Sequence, residues 1–129
     1  MKKNSINEHK NPKNPFKPAF AGLKNLILTE RNFQTHLIFV VLVIAACIFF
    51  KVTAYEWIAV LTMIGLVLGA EALNTAIEYI CDHVCPETHP HIKKTKDISA
   101  AAVLVCTIIA VIVGCIIFIP YILRALGLI

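Results

Sequence analysis

Residues 98–123 read ISAAAVLVCTIIAVIVGCIIFIPYIL and contain no charged side chain. An α-helix rises about 1.5 Å per residue, so this stretch is long enough to cross the roughly 30 Å of hydrocarbon in a bilayer. Pro120 comes late enough to disturb only the last turn of such a helix. The stretch therefore predicts a transmembrane span over about residues 98–123.

Two further apolar segments lie upstream. The uncharged run 37–50 is too short to cross a bilayer alone, which places the first span at about 33–52. The second span is expected over about 55–81, with Tyr55 and Trp57 at an interface. Of the 129 residues, 58% are hydrophobic and 16% charged, against roughly a quarter charged in soluble domains. This composition excludes a water-soluble monomer and predicts an all-α integral membrane protein with three spans, with no nucleic-acid partner.

The N-terminal region divides into two parts. Residues 1–15 are polar and basic with little apolar periodicity, which predicts a disordered leader. Phe20, Leu23 and Ile27 then recur at spacings of three and four, which predicts an amphipathic helix on the membrane surface over about 18–32. Residues 16–129 are expected to form one membrane domain.

Basic residues predict the orientation of the chain. Lysines and one arginine crowd the first 31 residues, and Lys93, Lys94 and Lys96 follow the second span. The first loop holds only Lys51, and the C-terminus only Arg124. By the positive-inside rule, the N-terminus and the loop 81–97 face the cytoplasm.

Acidic residues within the second span need an explanation, because a charge at the bilayer centre costs at least about 2.5 kcal/mol. At 100° per residue, one face of the helix carries a polar stripe spanning roughly 80°. The stripe consists of Glu71, Asn74, Glu78 and Asp82. Polar contacts between helices would explain Asn74 and Thr75 alone. They do not explain three acids, which repel one another unless cations such as Mg²⁺ neutralise them.

Further charged residues lie at the same predicted interface. Glu30 ends the surface helix, and Asp97 begins the third span directly after Lys96. Acids that hold a metal, together with lysines that hold phosphate, are what phosphoryl transfer requires. For Lys93 and Lys94 we favour plain membrane topology instead. A neighbouring subunit is expected to cover the acidic stripe, since three helices do not easily shield it from lipid.

The stretch EALNTAIE at 71–78 with Asp82, followed by KDISAAAV at 96–103, resembles the prokaryotic diacylglycerol kinase family, which includes the undecaprenol kinases. The resemblance covers about residues 16–120. It implies a homotrimer of three-span subunits, each with an N-terminal surface helix, in a bacterial plasma membrane. It also implies an enzyme that uses ATP and Mg²⁺ to phosphorylate a lipid alcohol at the cytoplasmic interface.

The same resemblance implies a role for each site residue. Glu71 would be the catalytic base on the lipid hydroxyl, and Asn74 would position the reacting groups. Glu30 and Glu78 would hold the metal. Lys96 would contact the ATP phosphates, with Asp82 and Asp97 supporting the nucleotide site.

Two features of the sequence bear on this resemblance. No G-x-x-x-x-G-K-[ST] loop and no protein-kinase motif set occurs, so nucleotide binding is not of those types. His36 resembles the Gram-positive undecaprenol kinase form, where enterobacterial diacylglycerol kinases have an acid. The acceptor lipid stays open between diacylglycerol and undecaprenol, with a lean toward undecaprenol.

A rival interpretation rests on the segment 81–91, which is rich in cysteine and histidine. A tetrahedral Zn²⁺ site there would make the protein a small membrane metal-binding or transport subunit. Pro86 and Pro90 interrupt the segment, and its spacing matches no common zinc signature. Solvated loop histidines are the simpler explanation. The candidate ligands are Cys81, His83, Cys85, His89 and His91.

Overall fold

A computed structural model describes residues 16–87 and 89–128 and folds them into four α-helices. These are α1 (Phe16–Thr29), α2 (Arg31–Phe50), α3 (Ala54–Val84) and α4 (Pro90–Ala125). By length and composition, α2, α3 and α4 can each cross a membrane. The expected all-α architecture, with three helices long and apolar enough to span a membrane, is thereby confirmed for the described part of the chain. The predicted leader, residues 1–15, lies outside the described residues.

The turn between α2 and α3 is fixed by two complementary caps. Lys51 adopts a left-handed conformation (φ 52°), and the backbone N–H of Val52 donates to the carbonyl of Cys47. This pattern is a Schellman motif, which supplies donors to the last carbonyls of a helix. Thr53 then forms a capping box with Glu56 at the start of α3. Residues 51–53 can therefore reverse the chain without leaving the helix ends unpaired.

Helix α4 begins earlier than the apolar pattern suggests. His89 caps it by accepting from the backbone N–H of His91, and Pro90 occupies the first helical position, where its missing N–H costs nothing. Lys93, Lys94 and Lys96 therefore lie on a helix rather than in the expected loop 81–97. Because α3 also continues to Val84, the connection shrinks to residues 85–89. Hydropathy marks only the membrane-crossing part of a helix, whereas the caps mark its true ends.

Glu30 separates α1 from α2. Its backbone is extended (φ −96°, ψ 109°), and the helix resumes at once with Arg31. Helix α1 packs mainly against α2 and has no buried residue. Its apolar side chains remain uncovered by the described chain, with Phe20 69% and Ile27 40% exposed. The helix thus occupies residues 16–29 instead of about 18–32.

Helices α3 and α4 form the main antiparallel pair, and α2 packs on α3. At one end of the bundle, Tyr121 donates to Glu56 (2.9 Å), and at the other Ser99 contacts Asn74. A small apolar core lies near the first of these ends, built from Cys47, Val52, Val60 and Ile117. The buried polar residues lie at the second end. The fold thus separates an apolar core from a polar site along the length of the same helices.

Candidate active site

A cleft of about 350 Å³ opens between α2, α3 and α4 at the end of the bundle that carries the buried polar residues. Its α3 wall consists of Glu71, Asn74 and Glu78, spaced so that all three fall on one helix face. The α2 wall contributes His36 and Thr35. The structure therefore brings together three of the residues that the polar stripe predicts.

Glu71 is the most deeply placed of these carboxylates. It is only 3% exposed, and its Oε2 lies 3.9 Å from Nε2 of His36 on α2. The Thr75 hydroxyl donates to the backbone carbonyl of Glu71 (3.0 Å), so Thr75 satisfies its own buried hydroxyl on the helix. The carboxylate is thus buried, with the His36 imidazole facing it from another helix.

A short chain of hydrogen bonds joins α3 to α4 beside Glu71. The Asn74 amide donates from Nδ2 to Oε1 of Glu78 (3.0 Å), and its Oδ1 lies 2.6 Å from the Ser99 hydroxyl. The same hydroxyl lies 2.9 Å from the carbonyl oxygen of Lys96. Both Asn74 and Ser99 are buried. Asn74 therefore has a fixed orientation, with its donor toward the Glu78 carboxylate.

Lys96 and Asp82 form an ion pair near the connection between α3 and α4. The Lys96 ammonium donates to Oδ1 of Asp82 at 2.5 Å, and the Asp82 side chain is 63% exposed. Such an exposed pair contributes little to stability, because water and salt screen it. Asp97 is exposed and makes no hydrogen bond or ion pair within residues 16–87 and 89–128. Of the three predicted nucleotide-site residues, Lys96 and Asp82 are in direct contact, and Asp97 makes no hydrogen bond or ion pair with either.

Glu30 reaches α3 from the joint between α1 and α2. The Tyr79 hydroxyl donates to Oε1 of Glu30, and the Thr29 hydroxyl lies 3.1 Å from the same oxygen. The two predicted metal carboxylates, Glu30 and Glu78, thus have separate hydrogen-bond partners. Each of these carboxylates accepts hydrogen bonds through one of its oxygens. Within the described residues, its other oxygen makes no hydrogen bond.

Sequence reasoning did not assign functional roles to Ser99, Tyr79 or His36. Ser99 lies within the stretch KDISAAAV, and a polar residue on an otherwise apolar helix is the feature that could have indicated a site residue. Tyr79 directly follows Glu78, and a tyrosine hydroxyl at the edge of a span is the feature that could have indicated its contact with the site. In the sequence His36 marks only a difference between branches of the family, whereas in the structure it lies beside Glu71.

The cysteine- and histidine-rich segment gains no support as a metal centre. Within the ranges described, no group of three His, Cys, Asp or Glu side chains is placed to hold a metal ion. Cys81 is buried on α3, and His89 serves as the cap of α4. Cys85 lies 3.4 Å from the Glu87 carbonyl. These residues have structural positions that explain them without a bound metal.

Comparison with known proteins defines the class. The sequence profile described as prokaryotic diacylglycerol kinase matches residues 17–118, which include every site residue named above. The chain belongs to this family, and the protein is accordingly an enzyme, a lipid kinase. Its three apolar helices are those of a membrane protein.

Named relatives agree with this assignment. The chain is 35% identical over 117 residues to the undecaprenol kinase of Bacillus subtilis (strain 168), covering 88% of this chain and 95% of that protein. It is 32% identical over 98 residues to the diacylglycerol kinase of Escherichia coli (strain K12), covering 76% and 80%. A diacylglycerol kinase of Synechocystis sp. is 37% identical over 107 residues, covering 81% of this chain but 61% of that longer relative.

Proposed function

We propose that the protein transfers the γ-phosphoryl group of ATP, with Mg²⁺, to the hydroxyl of diacylglycerol or undecaprenol. The reaction takes place at the cytoplasmic interface of a bacterial plasma membrane. One observation carries the proposal: Glu71, a carboxylate only 3% exposed, lies in a membrane-spanning helix and lines a cleft that also holds Asn74 and Glu78. Burying an acid at this depth costs free energy, so its presence there indicates a function.

Glu71 acts as the general base in this mechanism. A lipid keeps its hydroxyl near the boundary between hydrocarbon and water, and Glu71 is farther along α3 from the wet end than Glu78 or Asp82. As the hydroxyl oxygen bonds to the γ-phosphorus, its proton passes to the Glu71 carboxylate, and the bond from that phosphorus to ADP breaks. The products are the phosphorylated lipid and ADP, and Glu71 then releases the proton to water.

Asn74 positions the reacting groups. Its two hydrogen bonds, to Glu78 and Ser99, fix the amide one helical turn from Glu71. Holding reactants within a narrow range of orientations lowers the entropic part of the barrier. This rigidity supports the role that the family resemblance implies for Asn74.

Lys96 binds the phosphates of the nucleotide. Its ammonium lies at the wet end of the cleft and is held by Asp82, which leaves two donors for phosphate oxygens. Asp82 and Asp97 support the nucleotide from this end. The proposal for Asp97 rests on the resemblance, together with its exposed position next to Lys96.

Glu30 and Glu78 would hold the magnesium ion. Mg²⁺ in kinases is bound by one or two carboxylates together with phosphate oxygens and water, and each of these carboxylates has one oxygen without a hydrogen bond that is of the ligand type this ion prefers. When bound, the ion would neutralise charge on the phosphates during transfer.

Charge and exposure support the proposed orientation and assembly. Lys93, Lys94 and Lys96 lie at the same end of the bundle as the cleft, which supports a cytoplasmic N-terminus and site. The uncovered apolar side chains of α1, such as Phe20, support its lying on the membrane surface. A homotrimer, as the family resemblance implies, would cover the open side of the cleft with a second subunit. Membrane lipids would surround the remaining apolar faces.

The central test compares Glu71→Gln with Glu56→Gln in purified protein. Both variants remove one carboxylate charge from α3, but Glu56 lies at the opposite end of the bundle. We expect Glu71→Gln to lose about 10²- to 10⁴-fold in kcat while nucleotide affinity is retained, because only the proton acceptor is lost. Glu56→Gln should keep its turnover. Normal turnover by Glu71→Gln would refute the base assignment.

A second experiment separates the metal role and the acceptor. Glu78→Ala should weaken binding of MgATP, and an unchanged affinity would contradict its role. Diacylglycerol and undecaprenol, offered side by side with Mg²⁺ and labelled ATP, decide the acceptor. The relative named undecaprenol kinase, of which this chain covers 95%, favours undecaprenol.

A further inference from the structure

The joint between α1 and α2 is tied to α3 by a tyrosine. The Tyr79 hydroxyl donates to Oε1 of Glu30, the residue at which the chain leaves one helix and enters the next. A second side-chain hydrogen bond at the joint stays within α1 and α2, because Gln34 donates from Nε2 to the Ile27 carbonyl (3.0 Å). The bond from Tyr79 is thus the one that fastens Glu30 to a different part of the fold.

Both ends of this bond border the candidate active site. Tyr79 directly follows Glu78, so the two side chains leave α3 about 100° apart, and Glu78 lines the cleft. Asn32, just after the joint, lines the same cleft from α2. The charges of Glu30 and Glu78 both act on the Glu71 carboxylate. The hydrogen bond therefore holds one proposed metal carboxylate against the turn of helix that carries the other.

We propose that Tyr79 is a positioning residue, whose hydroxyl orients the Glu30 carboxylate so that its second oxygen meets the metal ion of the bound nucleotide. The inference rests on the proposed function, because it needs Glu30 and Glu78 to share that ion. Oε1 of Glu30 accepts from Tyr79, and Oε2 makes no hydrogen bond within residues 16–87 and 89–128. Since a carboxylate is planar, fixing Oε1 also limits where Oε2 can lie.

A second hydroxyl lies near the same oxygen but does not do the work of Tyr79. Thr29 Oγ1 lies 3.1 Å from Oε1 of Glu30 and 2.9 Å from the Asn25 carbonyl, and its single proton serves both acceptors. Thr29 is also the chain neighbour of Glu30, so its bond leaves the distance from Glu30 to α3 unrestrained. The bond from Tyr79 sets that distance.

Restraining Glu30 before the metal binds lowers the entropic cost of binding. Helix α1 has no buried residue to hold the joint, whereas α2 is anchored by Phe33, which is 2% exposed. A glutamate has several torsions to immobilise, and Mg²⁺ requires near-ideal octahedral geometry. Removing a hydrogen-bond partner of a metal ligand typically weakens metal binding by about 10- to 100-fold. Tyr79 is 52% exposed, so water partly replaces its hydroxyl, and we expect the lower end of this range.

Metal binding is measured without turnover. Mn²⁺ stands in for Mg²⁺, and its effect on water-proton relaxation reports its binding to purified protein saturated with the β,γ-imido analogue of ATP. We expect Tyr79→Phe to raise the dissociation constant of Mn²⁺ by about tenfold. In kinase assays the Mg²⁺ concentration for half-maximal rate should rise by a similar factor, with kcat changed less than about twofold, because Glu71 is untouched. Tyr55→Phe, on the same helix and 85% exposed, should match the parent in both measurements.

A double-mutant cycle separates positioning from direct action. Glu30→Gln removes the charge of the ligand and should itself weaken Mn²⁺ binding. In that background Tyr79→Phe should add less than about twofold, because it acts through Glu30. A full tenfold addition in the Glu30→Gln background would overturn the proposal. So would a Tyr79→Phe variant that unfolds more easily in dodecyl sulfate yet binds Mn²⁺ as the parent does, since the bond would then only fasten α1.

Failure of the proposed function gives a different result. A parent protein that binds Mn²⁺ with the nucleotide analogue but phosphorylates no lipid overturns the proposed function, and the Mn²⁺ titrations still decide the role of Tyr79. Equal Mn²⁺ affinity in the parent and in Tyr79→Phe, with normal lipid phosphorylation by the parent, overturns the role of Tyr79 and leaves the proposed function standing.

Discussion

Replacing Ser99 by alanine removes the hydroxyl that joins α4 to Asn74. The hydroxyl lies 2.6 Å from Asn74 Oδ1 and 2.9 Å from the Lys96 carbonyl, and its single proton serves both acceptors. The Lys96 carbonyl belongs to a helix, so the loss falls mainly on the Asn74 side chain. Asn74 is 4% exposed and keeps its other hydrogen bond, from Nδ2 to Glu78.

The magnitude depends on the environment of this hydrogen bond. Leaving a buried acceptor unpaired costs about 1–3 kcal/mol in soluble proteins. Hydrogen bonds between membrane helices average only about 0.6 kcal/mol, with a maximum of about 1.7, because the unfolded reference in lipid also finds partners. The short distance and full burial place the Ser99–Asn74 bond in the upper half of that range. We expect a loss of about 1–1.7 kcal/mol in the free energy of unfolding.

A double-mutant cycle measures this coupling. Ser99→Ala, Asn74→Ala and the double variant are unfolded by dodecyl sulfate in mixed micelles, and the non-additive part gives the pairwise free energy. The loosened Asn74 should also lower kcat/KM, by roughly 5- to 18-fold if the same free energy is lost from the transition state. A coupling indistinguishable from zero, or full kinase activity in Ser99→Ala, would refute the idea that Ser99 holds Asn74 in its working orientation.

Three further predictions concern other parts of the fold. Lys51→Gly should stabilise the protein by about 0.5–1 kcal/mol in the same titration, because glycine adopts the left-handed conformation (φ 52°) without strain; a lower midpoint would contradict this. Tyr121→Phe should destabilise by about 0.5–1.5 kcal/mol, because it removes a hydroxyl donor to the capping carboxylate of α3. The exposed Tyr55→Phe is its control, and equal effects would show that the bond contributes nothing. The double variant Cys81→Ser, Cys85→Ser should keep its kinase activity. Metal analysis after purification should find no zinc in the parent protein or in the variant. Zinc in the parent that is lost from the variant together with activity would support the metal-centre interpretation instead.

Much of this architecture is readable from the sequence because membrane spans have a local signal. Each of α2, α3 and α4 contains an apolar run, and the polar stripe within α3 follows from the helical period alone. Glu71, Asn74 and Glu78 do line one cleft, as that period requires. The roles of these residues remain predictions, which the variants above test.

Contacts between distant segments could not be read in the same way. The Ser99–Asn74 bond joins residues 25 apart, and the Tyr79–Glu30 bond joins residues 49 apart. Neither pair has a fixed spacing that a periodicity could show. Hydropathy also does not show where α4 begins, because it falls where the lysines occur, whereas the cap at His89 lets the helix start before them.

The continuity of α4 past the bilayer has a consequence for how the protein tolerates insertions. The helix has 36 residues, about 54 Å, against roughly 30 Å of hydrocarbon. Lys96 and Ser99 thus stand on one rigid rod, and each added residue between them would swing the ammonium by about 100° away from Asp82. A loop would absorb such a change. An insertion of about seven residues, two whole turns, would restore the angle between Lys96 and Ser99 around the helix axis.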